Sequence, residues 1–261
     1  LNNFLQFGGA NEEQLIIPDC TFGLADHISS DFKTFGGANE QQLIIPDCTF
    51  GLADHISSDF KTDPTEGVLG LAFETLSATK TTPPFLIAVQ QGLVDQPVFT
   101  VWLARRGSWY GVPGGVLTYG GLDTENCGPI TSIGVGKFRI RKAFQAISDT
   151  GTSFIGGPQA ATDKLAKAVG ARYSLENEIY LIPCNANPPT LNIYIGKRKY
   201  PIKPENYIID GGFNTCLFTV FPEMSGMLGR TWILGDPFIR QYCNVHDMGK
   251  KRMGFAESLQ R

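Results

Sequence analysis

The stretch Ala146-Ile147-Ser148-Asp149-Thr150-Gly151-Thr152-Ser153-Phe154-Ile155 combines residue types that could do chemistry. Apolar residues deliver an aspartate into a tight, glycine-containing turn flanked by hydroxyls, and apolar residues follow it. Backbone N–H groups and Thr or Ser hydroxyls in such a turn can bond both oxygens of a carboxylate and fix its direction. Asp-Thr-Gly alone is also an ordinary turn sequence, since Asp and Gly both suit tight turns. The elements around the turn must decide between the two readings.

The 261 residues are 42% AVILMFWYC and 18% charged, enough to bury a core in one large β domain or two smaller ones. Thirty glycines and 16 prolines favour turns and short strands over long helices. The net charge is −3, and no basic run is longer than Lys250-Lys251-Arg252, which argues against a nucleic-acid partner. The longest apolar run, Phe85 to Val89, falls far short of the ~20 residues that span a bilayer, so no membrane span is expected. Disorder, collagen and coiled coil are excluded on composition. Six cysteines lie far apart with no CxxC pair, a pattern that suits disulfides in an oxidising compartment rather than a zinc ribbon. Buried free thiols are the alternative. His27, His55 and His246 do not sit at metal-ligand spacing, and no metal site is expected. Asn-x-Ser/Thr is absent, so no N-glycan is expected. The chain begins Leu1-Asn2-Asn3 without a Met or a signal segment, which reads as a processed start or a fragment.

Phe7 to Thr34 is repeated as Phe35 to Thr62, with Gln41 in place of Glu13 as the single difference. Two copies are too few for a solenoid, and a duplication or assembly event is the simpler origin. Each copy carries a stretch, Gln14 to Pro18 in the first, that reads as a strand ending at proline. Identical strands cannot fill one slot in a sheet, so one copy is expected to be displaced or poorly packed.

Val68 to Phe73 reads as an apolar strand. Pro83-Pro84 opens a short helix with Phe85, Ala88 and Val89 on its apolar face and Gly92 as its cap. Val98 to Leu103 is a strand, Gly107 to Gly115 a linker, and Val116 to Tyr119 resumes β structure. A second helix begins near Pro158, buries Ala161, Leu165, Ala168 and Val169, and ends at Gly170. Two hairpins follow: Leu191 to Ile195 with Tyr200 to Ile202 around a Gly196 to Lys199 tip, and Tyr242 to His246 with Met253 to Ala256. Trp102, Trp109 and Trp232 read as core residues. The class is mainly β.

In this setting the sequence resembles the pepsin and cathepsin D type of aspartic endopeptidase. The resemblance rests on four ordered segments: Glu66 to Phe73, Val112 to Asp123, Asp149 to Ser153, and Trp232-Ile233-Leu234-Gly235-Asp236-Pro237-Phe238-Ile239-Arg240. It implies a bilobal β enzyme that cleaves peptides or unfolded proteins by activating a water between two carboxylates, one from each lobe. Asp149 would be the second-lobe carboxylate. The resemblance further implies that Gly151 and Thr152 orient it beside Ser153, that Thr150 locks the lobes together, and that Gly235 lets its strand pass close behind the loop. No cofactor is implied. A secreted or lysosomal compartment and a monomer are expected. Cys184 and Cys216 would pair as in the family's second lobe, and elimination then pairs Cys127 with Cys243. Cys20 and Cys48 are copies of one position, and one of them is expected to be unpaired.

The chain also departs from the family. No Asp-Thr-Gly occurs from Leu1 to Phe144, and the family's flap hairpin has no counterpart. The interval from Asp123 to Asp149 reads as about two strands short. The expected architecture is a truncated, internally duplicated N-terminal lobe at 1–106, a linker at 107–115 and a near-complete C-terminal lobe at 116–261. With one catalytic aspartate, little or no peptidase activity is expected of the chain as written. A non-catalytic homologue that binds peptides or inhibitors, or a homodimer pairing two copies of Asp149, are the alternatives.

Overall fold

The computed structural model describes residues 14–17, 21–23, 33–34, 42–45, 48–51, 69–77, 80–105, 114–134, 138–140, 142–176, 178–212, 214–223 and 231–260. Short strands dominate them. The α-helices are Pro84–Gln90, Gln159–Val169, Pro204–Tyr207 and Asp236–Gln241. The mainly β class follows from a chain rich in turn residues and poor in long apolar helical stripes. Two compact units divide it: Leu1–Phe99 with Val116–Leu122, and Thr100–Gly115 with Asp123–Arg261.

In the first unit, Gln14–Ile17 pairs antiparallel with Lys33–Thr34 on one side and parallel with Gln42–Ile44 on the other. The parallel pairing joins the repeat copies residue on residue, Gln14 to Gln42 and Leu15 to Leu43. Thr21–Gly23 and Thr49–Gly51 pair in the same way. The copies thus take neighbouring places in a sheet instead of competing for one. Whether one is poorly packed concerns side chains outside the described residues. Ile45 and Cys48 of the second copy are fully buried, and with Ala88, Leu69, Ile87 and Val94 they form one apolar cluster of this unit. Pro84–Gln90 starts at its proline, buries Phe85 and Ala88, and gives way to Gly92 at φ +68°. Phe85 packs on Phe99 and Tyr119 with ring centroids 5.2 and 5.6 Å away.

Of the strand expected from Val68 to Phe73, the described residues 69–73 form none. Residues 69–73 are irregular and lead into a 3-10 turn at Glu74–Leu76. No described strand offers this segment a hydrogen-bonding edge, and an apolar run without one gains nothing from extension. Val98–Leu103 is a strand as expected, and β structure resumes at Gly115–Tyr119. Most of the expected linker lies outside the described residues.

The second unit contains a large core in which Tyr200 packs against Phe238, Tyr242 and Phe255 at 6.1, 5.3 and 5.4 Å. Helix Gln159–Val169 starts after Pro158 and ends at Gly170 with φ +80°. Its buried face is centred on Thr162 and Ala166, with Ala161, Leu165 and Val169 alongside, and Ala168 is exposed. The expected face is therefore rotated by about one residue. Thr162 can occupy its centre because its hydroxyl donates to the Gln159 carbonyl at 3.0 Å and lies 3.1 Å from the Tyr180 hydroxyl.

The first hairpin pairs Leu191–Ile195 with Arg198–Ile202, so its turn is Gly196-Lys197 alone and Arg198 and Lys199 belong to the strand. Gly196 at φ +61° permits that two-residue turn. The second hairpin pairs Tyr242–Asp247 with Arg252–Ser258, which pairs in turn with Cys127–Gly134. Between Asp123 and Asp149 the chain makes the strands Cys127–Gly134, Phe138–Ile140, Lys142–Phe144 and Ala146–Ser148. Disulfides join Cys127 to Cys243 and Cys184 to Cys216, with Cα atoms 5.9 and 5.0 Å apart. Closing the shorter loop, of 32 residues' separation, stabilises by roughly 3–4 kcal/mol in the chain-entropy view. Cys48 is buried, and its copy Cys20 lies outside the described residues.

His246, opposite Met253, is partly exposed as a residue, but its Nε2 is sealed from solvent, and burial lowers its pKa to about 4. The folded chain keeps this imidazole neutral, whereas the unfolded chain protonates it near 6.5. Stability is therefore expected to fall as pH drops from about 6.5 to about 4, by roughly 3 kcal/mol. Urea unfolding across that range should show a shallower slope for His246→Gln than for the native chain. Equal slopes would remove the buried imidazole as the cause.

Candidate active site

Asp149 sits where two strands flank a third. Ala146–Ser148 runs parallel to Trp232–Leu234, with Ser148 beside Leu234. The chain then loops across and returns as Ile155–Pro158 on the other side of Trp232–Leu234, antiparallel to it. Val220–Glu223 completes the four-stranded sheet, parallel to the returning strand. Residues 149–154 thus cross over the end of a central strand, and the sheet anchors both ends of the loop. Trp232, Ile233 and Leu234 are all buried, as a strand with neighbours on both sides requires.

Backbone hydrogen bonds tie the loop down. The Asp149 N–H donates to Leu234 at 3.1 Å, the Thr152 N–H to the Asp149 carbonyl at 3.3 Å, and the Asp236 N–H to the Thr152 carbonyl at 3.0 Å. The carboxylate is held at both oxygens. The Gly151 N–H reaches Oδ1 at 3.0 Å, and the Thr152 hydroxyl reaches Oδ2 at 2.6 Å. Asp149 is half-buried, so one side of it remains open to a reactant. Thr150 and Ser153 are exposed and make no side-chain hydrogen bond among the described residues.

Gly235 is the tightest point. A Cβ there would overlap the carbonyl oxygens of Thr152 and Phe154, because the central strand passes directly under the loop. Gly157 has a related constraint that the sequence reading missed, since a Cβ on it would lie 2.6 Å from the Trp232 indole. The glycine pair at 156–157 between apolar residues was the available signal for a close approach.

Asp236 was missed as well. It opens the short helix Asp236–Gln241, and its Oδ2 accepts from Arg240 at 3.0 Å. Burial pushes its carboxyl above the usual range, the Arg240 guanidinium pulls it down, and the charge of Asp149 adds to the rise. Acid and base four residues apart on a helix are readable in sequence as an ion pair. Nothing in the one-dimensional pattern links that pair to Asp149.

Cys184, Asp210 and Cys216 come within metal-ligand distance of one another, but the two sulfurs are already joined in a disulfide and offer no thiolate. Among the described residues, no helix is long and apolar enough to cross a membrane.

Residues 36–258 match the family model described as eukaryotic aspartyl protease. Aspartic protease 6 of Caenorhabditis elegans is 50% identical over 98% of this chain and 63% of its own length. Aspartic protease 2 of Necator americanus is 38% identical over 97% of this chain and 56% of its own. Cathepsin D of Clupea harengus is 35% identical over 74% of this chain and 54% of its own. The chain spans between half and just under two thirds of the length of these curated relatives.

Gly235→Ala is expected to destabilise the second unit by about 3 kcal/mol or more, since both overlapping atoms are backbone and cannot swing away. Thr152→Val keeps the shape but removes the donor to Oδ2, at a cost of about 1–2 kcal/mol, and Thr152→Ser restores most of it. Denaturant midpoints of the three variants test the close approach and the hydrogen bond separately. A Gly235→Ala midpoint equal to the native one would refute the close approach.

Proposed function

The chain belongs to the eukaryotic aspartyl protease family, and on that premise we propose that it contributes the second-lobe carboxylate of a peptide-hydrolysing pair and cannot complete the reaction alone. The observation that carries this reading is the Asp149 carboxylate held at both oxygens on a loop anchored by two strands. A rigid, half-open carboxylate is what a water-activating group needs.

In the reaction the family carries out, the water lies between two carboxylates that share one proton. One takes the proton of the attacking water while the protonated partner stabilises the developing oxyanion. The proton belongs to the pair rather than to either residue. Asp149 can accept a proton, and Gly151 and Thr152 hold its oxygens so that little reorganisation is needed. No second Asp-Thr-Gly exists upstream of it in this chain. Asp236 is unsuited to the missing role, because its carboxyl is engaged by Arg240. The acid and oxyanion functions are each worth about 10²-fold or more in rate, so their absence leaves the chain close to inert.

The substrate would be a peptide or an unfolded protein. The two disulfides favour an oxidising setting, secreted or lysosomal. The half-open carboxylate, with no second carboxylate bonded to it among the described residues, also supports a second reading, a peptide- or inhibitor-binding homologue that does not turn over.

The purified chain, assayed on an unfolded protein at acidic pH with and without an aspartic-protease inhibitor, is expected to show no inhibitor-sensitive cleavage above that of Asp149→Asn. Turnover near that of a full-length relative, abolished by Asp149→Asn, would overturn the proposal. Saturable inhibitor binding without turnover would select the second reading.

A further inference from the structure

The second unit also holds a cavity of about 410 Å³ that shares no residue with the Asp149 loop. It lies between the C-terminal half of helix Gln159–Val169 and the antiparallel strands Arg172–Ser174 and Ile179–Pro183. Its size falls in the range of small-ligand sites, about 300–1,000 Å³.

Two kinds of group line it. Half-buried Tyr173 lines the cavity, and Tyr180 behind it, 2% exposed, meets its ring edge to face at 5.1 Å. The Tyr180 hydroxyl donates to Asp163 Oδ1 at 2.6 Å. Burial and Asp163 push this hydroxyl's pKa up to about 12, so it remains a donor and keeps the carboxylate in place. Lys167 and Arg172 line the same space, both exposed, and neither has an ion-pair partner among the described residues. With Asp163 fixed nearby, the lining carries one net positive charge.

We propose that this cavity binds a carboxylate carried on an apolar group of aromatic size. Lys167 and Arg172 take the carboxylate, and the Tyr173 ring, held in place by Tyr180 behind it, takes the apolar part. A single net positive charge matches a monoanion, whereas a phosphate dianion would meet the fixed charge of Asp163 without full compensation. A neutral analogue would leave that single positive charge uncompensated.

The test is an amide-resolved NMR titration of the full 261-residue chain with phenylacetate, phenyl phosphate and 2-phenylethanol. Phenylacetate is expected to give saturable shifts at the Gly170, Ala171 and Tyr173 amides, with affinity at least tenfold above the other two. Lys167→Gln/Arg172→Gln should weaken phenylacetate at least tenfold while the Gly151 and Thr152 amides keep their native shifts. Added salt should weaken phenylacetate and leave 2-phenylethanol unchanged. The proposal fails if phenylacetate does not saturate, if the double variant binds it as well as the native chain, or if phenyl phosphate binds as tightly.

Discussion

The approach of one backbone to another at Gly235 is the constraint on which the second unit's chemistry depends. The central strand ends beneath a loop whose carbonyl oxygens occupy the space a side chain would need. Because position 235 is bare, the Asp236 N–H can reach Thr152 and the Asp149 N–H can reach Leu234. Those bonds hold the loop to a sheet that is buried around it. The carboxylate therefore inherits the rigidity of three strands, although it lies on a turn.

A well-held carboxylate is only half of a mechanism. Asp149 has its donors, its exposure and its anchoring, yet the family's chemistry divides one proton between two such groups. The nearby Asp236 illustrates why proximity is not enough. Its carboxyl feels the charge of Asp149, but its oxygen is engaged by Arg240, and its position at a helix start serves the loop's backbone. Family membership and working chemistry can separate at this point, because the fold of one lobe does not require the other lobe's aspartate.

The duplicated segment makes a related point about folding. Two sequences differing at one position present the same hydrogen-bonding edge, and in-register parallel pairing places Gln14 to Ile16 and Thr21 to Gly23 beside their copies. One apolar cluster of that unit draws on Ile45 and Cys48, both from the second copy. Duplication has thus added strands beside an existing place without removing the residues that bury.

Much of the architecture was legible in one dimension because it depends on local chemistry. Proline and glycine marked the ends of Gln159–Val169, a run rich in β-branched and aromatic residues marked Val98–Leu103, the Gly196 tip marked the first late hairpin, and the Asp-Thr-Gly turn marked itself. Other features depend on what lies opposite. Val68 to Phe73 had the pattern of a strand but found no described edge to pair with. Thr162 could sit at the centre of a buried face only because Tyr180 came to meet it. Asp236 gained its tie to Asp149 through a loop crossing that spans more than 80 positions of chain. The sequence by itself determined the class, the turn that carries Asp149 and the family to which the turn belongs, since these follow from residue type and short spacing. Only the tertiary structure decided which strands paired, which helix face was buried and which charges came together, because each depends on a partner that is distant along the chain.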